Sequence, residues 1–290
     1  MTDPDVTVVI PVHDREAVLP AAIESVLAQT LRPARIVVVD DGSTDGTAAV
    51  AAAAPVELLR HPVARGSGAA RNTGIAAADT TWIAFLDSDD VWLPDHLATV
   101  APALGDHAFV TTPMIDSFGR GRGNVSGRTR AVTPASLFFP ENVVCTSTVV
   151  ARRDAVDAVG GFDDLPRAQD LDLFLRLLEH GTAVALPTPT AVYSIPAAYQ
   201  EDGLRRRSVA GADRVRARYA DRPWMTTDLV RSIDVQRAWD DLRYAQHRGD
   251  RRALLDGLRR LGTTPGSLPR LQRMLRHRRL ARRFGAPDAA

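Results

Sequence analysis

The stretch Trp82-Ile83-Ala84-Phe85-Leu86-Asp87-Ser88-Asp89-Asp90 changes character in one step, from five apolar residues to three carboxylates in four positions. A short, continuous apolar run bounded by polar residues reads as a buried strand of a parallel sheet. Working outward, Val6-Thr7-Val8-Val9-Ile10 is a β-branched run that stops at Pro11. Ile36-Val37-Val38-Val39 is another, ending in Asp40-Asp41-Gly42-Ser43-Thr44-Asp45-Gly46, a polar turn suited to cap a helix beginning near Thr47. Val56-Glu57-Leu58-Leu59 reads as a shorter strand between them. Helical stretches separate the strands. Ala17 to Gln29 has Leu19, Ile23, Val26 and Leu27 at helical spacing, and Gly68 to Ala78 is rich in alanine.

Strands and helices therefore alternate, which predicts an α/β fold with an open, mostly parallel, Rossmann-like central sheet flanked by helices. Such sheets bind ligands outside the carboxyl ends of their strands. The most acidic and Gly-rich clusters of the chain fall at those ends.

After Pro94 the pattern changes. Gly119 to Arg130 is rich in Gly, Arg and Ser and reads as a long loop, of the kind that can cover a site or admit a substrate. Val143 to Val150 is a strand candidate and contains Cys145, read as a core or near-pocket thiol. Gly160-Gly161-Phe162-Asp163 marks a turn, and Asp170 to Leu178 a helix. Ala183 to Leu186 and Ala191 to Tyr193 read as short strands. Helices are expected over Gly203 to Tyr219, Thr226 to His247 and Arg251 to Leu261, then a basic helix over Leu271 to Phe284. The expected division is a catalytic domain over 1–200, with halves 1–95 and 96–200, and a helical appendage over 201–290.

Bulk properties narrow the function classes. The chain has 290 residues, 45% of them hydrophobic, with a formal charge of +1. No apolar run reaches bilayer-spanning length, and the start lacks the features of a secretory signal. One cysteine excludes an internal disulfide. Every basic side chain other than histidine is arginine, and Arg270 to Arg283 holds seven of them with no acidic residue. Gly66-Ser67-Gly68, followed by Arg71-Asn72, matches neither a P-loop nor a dinucleotide fingerprint, against an NTPase or a nicotinamide enzyme. No Ser/His/Asp ordering suggests a hydrolase, and no motif suggests nucleic-acid binding.

Three carboxylates close together repel one another, and a cation offsets that cost. At a strand end, a divalent ion bridging diphosphate oxygens suits Asp87-Ser88-Asp89-Asp90, since Mg²⁺ and Mn²⁺ prefer oxygen ligands. The plainer alternative is a solvated acidic turn. Asp40-Asp41 is similarly either a helix cap or an acceptor for ribose hydroxyls or a base N–H.

These fragments resemble, in order and separation, the inverting glycosyltransferases of family 2, which have the GT-A fold. The resemblance is carried by Val8-Val9-Ile10-Pro11-Val12-His13-Asp14, Ser25-Val26-Leu27-Ala28-Gln29-Thr30, Val39 to Thr47, Ala70-Arg71-Asn72-Thr73-Gly74 and Phe85 to Asp90. It is strong over residues 5 to 95 and weaker to about 195. It implies a metal-dependent enzyme moving a sugar from a nucleotide-sugar, preferentially a UDP-sugar, to a hydroxyl, with inversion. Pro11 and His13 would line the base pocket and Asp41 would contact the base. Arg71 would help hold the nucleotide. Asp89 would be the main metal ligand, Asp87 would contact the metal or ribose, and Asp90 would support the site or touch the sugar. Asp170, after Gly160-Gly161-Phe162-Asp163, matches the general base, while Asp172 is assigned to the cap or surface. Trp92 is either a sugar-stacking ring or core.

Two departures stand out. Gln169 replaces the usual Glu before the base, and Tyr193-Ser194-Ile195-Pro196 lacks the Arg and His that many members carry there. Arg205, Arg206 and Arg207 are candidate substitutes. The acceptor class stays open among a glycan, a lipid-linked intermediate, a peptide and a small natural product. The basic last helix has three readings: contact with a membrane surface, docking within the protein or on a second copy, or a solvated terminus. Localisation is expected to be cytoplasmic, with peripheral contact at the inner membrane face as an extension. Alternatives to the transferase are a catalytically degenerate nucleotide-sugar-binding or partner-binding protein, and a sugar nucleotidyltransferase.

Overall fold

A computed structural model describes residues 5–116, 121–138, 144–165, 168–193, 213–248, 250–263, 269 and 272. The first half is a regular alternation: β1 (Val6–Val12), α1 (Leu19–Leu27), β2 (Arg35–Asp40), α2 (Thr47–Ala53), β3 (Glu57–Arg60), α3 (Ser67–Ala77) and β4 (Trp82–Phe85). These four strands are parallel, in the order β3-β2-β1-β4. The order reverses between β1 and β4, and the crevice at their carboxyl ends is where such sheets hold ligands.

The apolar runs of β1, β2 and β4 are continuous because both faces of these strands are covered, whereas β3 at the edge is partly exposed. Val8, Ile10 and Ala84 face one cluster, with Leu19, Ile23 and Val26 of α1. Val9, Ile83 and Phe85 alternate to the other, with Phe162, Phe174 and Leu175. Helix α3 lies directly on β1 at Gly74, where a Cβ would fall 2.4 Å from Val9 Cγ1. Strand β1 runs through Pro11 instead of stopping there. Its β4 pairing ends at Val9, so Pro11 pairs along β2 alone, at a strand end that tolerates proline.

After β5 (Val91–Trp92) and α4 (His96–Val100) come β6 (Phe109–Thr111), β7 (Met114–Asp116), β8 (Gly121–Arg122) and β9 (Arg130–Ala131). Then follow β10 (Val150–Arg152), α5 (Arg153–Val159), α6 (Gln169–His180), β11 (Ala183–Ala185) and β12 (Ala191–Tyr193). Strand β10 joins β4 antiparallel, and β6, β11 and β9 complete an eight-stranded mixed sheet. A smaller sheet has the order β5-β12-β7-β8.

Val144 to Val150, the described part of the strand candidate Val143 to Val150, is not one strand. A 3₁₀ turn occupies Thr146–Thr148, and only Val150 enters β10. The Thr148 hydroxyl bonds the carbonyls of Thr112, at 2.7 Å, and Cys145, at 3.0 Å, so side-chain bonding competes with the ladder. The described part of Gly119 to Arg130 is anchored as well. Buried Asn124 donates to the carbonyls of Ala185, at 2.8 Å, and Arg128, at 2.7 Å.

Residues 213–218 are helical, followed by α7 (Thr227–Arg248) and α8 (Arg251–Thr263). Val215, Tyr219, Met225 and Leu229 share the core of the sheet and α6, so the helical region is joined to the sheet by packing. Among the described residues, no helix is long and apolar enough to cross a membrane. The expected basic helix over 271–284 and Arg205 to Arg207 lie outside the described residues, apart from Gln272.

His96 is fully buried beside Trp92, with Nδ1 2.7 Å from the Thr190 hydroxyl, and Nε2 has no hydrogen-bond partner among the described residues. Burial pulls its pKa down to about 3. The unfolded chain takes up this proton near the ordinary histidine value, so the stability it contributes is complete above about pH 6.5 and is lost as pH falls toward 3. Denaturation midpoints between about pH 7 and pH 4 should fall more steeply for the native chain than for His96→Gln; equal slopes would contradict this assignment.

Candidate active site

A cleft of about 330 Å³ opens at the carboxyl ends of β1 and β4. The end of β1 supplies Pro11, Val12, His13 and then Arg15, and the end of β2 supplies Asp41. Helix α3 brings Ser67, Ala70 and Arg71, and the turn after β4 brings Asp87, Ser88 and Asp89. Thr146, Gln169 and Asp170 come from the second half.

The two first loops are tied together. His13 Nδ1 lies 2.9 Å from the Asp41 carbonyl oxygen. The Asp41 carboxylate accepts the backbone N–H groups of Arg65, at 2.9 Å, and Gly66, at 2.7 Å, and sits 2.6 Å from His61 Nδ1. Burial works against its charge, but the Arg65 N–H, His61 and the Gly66 N–H outweigh it and hold the carboxyl below its ordinary value. Gly42 makes this packing possible. Its φ is +73°, and a Cβ would fall 2.7 Å from the backbone of Val63 and Ala64.

Arg71 is 7% exposed and reaches Asp87 Oδ1 at 2.5 Å. Its guanidinium also lies 5.2 Å from the Phe162 ring centroid, within cation–π range. Phe162 is fixed by a reciprocal pair: Asn72 donates to its carbonyl and accepts its N–H, both at 2.8 Å. Among the described residues, Asp89 has no such ion-pair partner. Burial and the neighbouring Asp87 push its pKa up, with Arg15 and Arg71 opposing. Asp90 does not join the lining. It is 3% exposed and accepts the Ser147 hydroxyl at 2.6 Å, behind the cleft. Among the described residues, no group of three or more His, Cys, Asp or Glu side chains could hold a metal. Asp87 and Asp89 form a two-carboxylate edge.

Asp170 opens α6 and accepts the Thr146 hydroxyl at 3.0 Å. Beside it, Gln169 Nε2 donates to the Leu165 carbonyl oxygen, and its Oε1 lies 3.4 Å from the Ser67 hydroxyl. An ionised glutamate could not make the first bond, which accounts physically for glutamine here. Asp172 is neither cap nor surface. It is fully buried and accepts from Arg176 Nε at 2.8 Å, Tyr219 Oη at 2.9 Å and Arg218 Nη1 at 3.2 Å. Arg218 also pairs with Asp163 in the Gly-Gly-Phe turn. The C-terminal helical region thus holds the start of α6 from behind.

The family model for glycosyl transferase family 2 matches residues 7–160, more than half of the chain. The chain belongs to glycosyl transferase family 2. It is 32% identical over 260 residues to the pre-mycofactocin glycosyltransferase of Mycobacterium tuberculosis, covering 81% of this chain and 52% of that protein. It is 48% identical over 97 residues to the succinoglycan biosynthesis protein ExoO of Rhizobium meliloti, covering 32% of this chain and 28% of that one. The chain spans about half the length, or less, of these curated relatives. Its fold matches the mannosyltransferase PcManGT of Pyrobaculum calidifontis, solved with GDP-Man and Mn²⁺, with a TM-score of 0.62 and 22% identity over 97% of this chain and 81% of that one. S. aureus TarS, solved with UDP-GlcNAc, matches with a TM-score of 0.57 and 20% identity over 66% of this chain and 58% of that one. The mixed sheet, the flanking helices and the helical C-terminal region are those of a GT-A-like fold.

Within this family 2 frame, several readings change. Trp92 is 2% exposed and donates to the Ser147 carbonyl at 2.6 Å, so it is core and not a sugar platform. Cys145 keeps its reading as a near-pocket thiol and no nucleophile: it is half-buried, and burial pushes it up to about 11. None of the described residues in 121–130 lines the cleft. Arg15 and Thr146 line it without having been singled out. Arg15 stands two residues after His13, and that adjacency was the available signal.

Ala168 has φ +60° immediately before α6, and Asp14 has φ +48°; among the described residues, no other non-glycine takes positive φ. Both adjoin the cleft, where backbone strain tends to collect. Ala168→Gly is expected to raise unfolding free energy by about 1 kcal/mol by removing the left-handed penalty. Asp172→Ala is expected to lower it by about 3–5 kcal/mol, because buried donors lose their acceptor. Denaturant titration measures both; no loss in Asp172→Ala would contradict the node.

Proposed function

We propose that this chain transfers a sugar from a nucleotide-sugar, with UDP the favoured nucleotide, to an acceptor hydroxyl, inverting the anomeric carbon. One observation carries the reading: Asp87 and Asp89 from the β4 end and Asp170 from the α6 start line a single cleft. Asp170 takes the acceptor proton as the acceptor oxygen attacks the anomeric carbon. The bond from that carbon to the diphosphate oxygen breaks, and the diphosphate leaves on the opposite side. His13, Pro11 and the Asp41 loop hold the base, and Arg71 holds Asp87 in place.

Two carboxylates, with no third His, Cys, Asp or Glu beside them among the described residues, suit an ion that keeps waters and substrate phosphates in its shell, as Mg²⁺ does. Mg²⁺ or Mn²⁺ at Asp89 and Asp87 would supply stabilisation of charge on the leaving diphosphate. The GDP-Man and Mn²⁺ of PcManGT and the UDP-GlcNAc of TarS support this donor class. The acceptor belongs to the hydroxyl-bearing glycans, lipid-linked intermediates, peptides or natural products. The protein acts in the cytoplasm, and its basic C-terminal segment provides a peripheral membrane or self-association contact.

Binding of UDP-, GDP- and dTDP-sugars, with and without Mn²⁺, tests this reading. One donor should bind in a metal-dependent way, and Asp89→Ala should abolish that binding. Asp170→Asn should keep donor affinity while turnover falls by roughly 10²–10⁴-fold. Absence of binding by the folded native chain to every donor would overturn the transferase reading. Binding without turnover in the native chain would make it a nucleotide-sugar-binding protein.

A further inference from the structure

Among the described residues, three basic side chains line the cleft: His13, Arg15 and Arg71. Two are committed. Arg71 is buried against Asp87 and Phe162. The His13 ring is tied through Nδ1 to the Asp41 carbonyl, with Nε2 3.4 Å from the Asp14 carboxylate. Arg15 is exposed, forms no close ion pair among the described residues, acts on Asp89 only at longer range, and makes one side-chain bond, from Nη1 to the Asp14 carbonyl at 3.0 Å.

The backbone beneath it is nevertheless fixed. Arg15 N–H donates to the Thr47 hydroxyl at 2.8 Å, and Asp14 N–H to the Ser43 hydroxyl at 2.9 Å. The Asp14 carboxylate accepts the Thr44 N–H at 2.8 Å and so steadies the left-handed φ of +48°. A strained, pinned loop carries an uncommitted guanidinium on the wall of an acidic cleft.

We propose that Arg15 binds the donor diphosphate, a role that rests on the nucleotide-sugar reading above. Charge supports it. Arg71 balances Asp87, and a divalent ion balances Asp89 and only part of a diphosphate. Arg15 adds a further cation to meet that charge, and the planar guanidinium suits phosphate oxygens. The side chain's exposure also leaves it free to move onto the donor without breaking an ion pair.

The test compares the native chain, Arg15→Gln and Arg15→Lys by calorimetric titration with UDP, UMP and uridine, each with Mn²⁺; the GDP, GMP and guanosine series is run in parallel. Arg15→Gln should weaken the diphosphate by about tenfold or more, the monophosphate less and the nucleoside by under about twofold. Arg15→Lys should recover part of the loss, and melting temperatures should match. Equal weakening across a series, or none, in a native chain that binds UDP or GDP would overturn the Arg15 assignment and leave the transferase reading standing. A native chain that binds neither diphosphate would remove both.

Discussion

Arg71 is nearly withdrawn from water, and a guanidinium in that position is costly unless an anion meets it. Asp87 meets it at the end of β4, and the face of Phe162 covers its guanidinium. That one contact joins α3, the acidic turn and the Gly-Gly-Phe turn of the second half. Asn72, one residue along α3, bonds both backbone groups of Phe162 and locks the same junction. The cleft depends on this arrangement, because Asp87 and Asp89 can be held close together only while Asp87 has its counter-charge.

A second polar node acts from behind. Asp172 gathers Arg176, Arg218 and Tyr219 around a fully buried carboxylate, two residues from Asp170. The proton on Tyr219 is correspondingly hard to remove: burial, then the Asp172 charge, raises its pKa to about 12. The C-terminal helical region thereby helps place the proposed base, although it lies beyond the residues matched by the family model.

Strands β1, β2 and β4 were legible because strands buried on both faces leave uninterrupted apolar runs, and the polar switches at Asp40 and Asp87 mark where β2 and β4 emerge. Asp41, Arg71, Asp87, Asp89 and Asp170 were legible from motifs, and the fold brings them to one cleft. What escaped the sequence is long-range. The i+4 neighbour Arg176 alone does not distinguish Asp172 as a buried acceptor from a helix cap, since its other two donors, Arg218 and Tyr219, lie far along the chain. Trp92 sits beside the acidic turn yet turns inward, because Ser147 and Ser25 offer it bonds from other elements. Val143 to Val150 has the composition of a strand, but threonine hydroxyls bend it into a turn.

The central claim is that the crevice between β1 and β4 is the donor site. The most direct measurement is a crystal structure of the chain with UDP or GDP and Mn²⁺, with the metal located by anomalous scattering. The account predicts the base between His13 and the Asp41 loop and the metal against Asp89 and Asp87. A nucleotide seated elsewhere, such as the groove behind α3 lined by Arg65, Asn72 and Asp163, with no metal at Asp89, would contradict it.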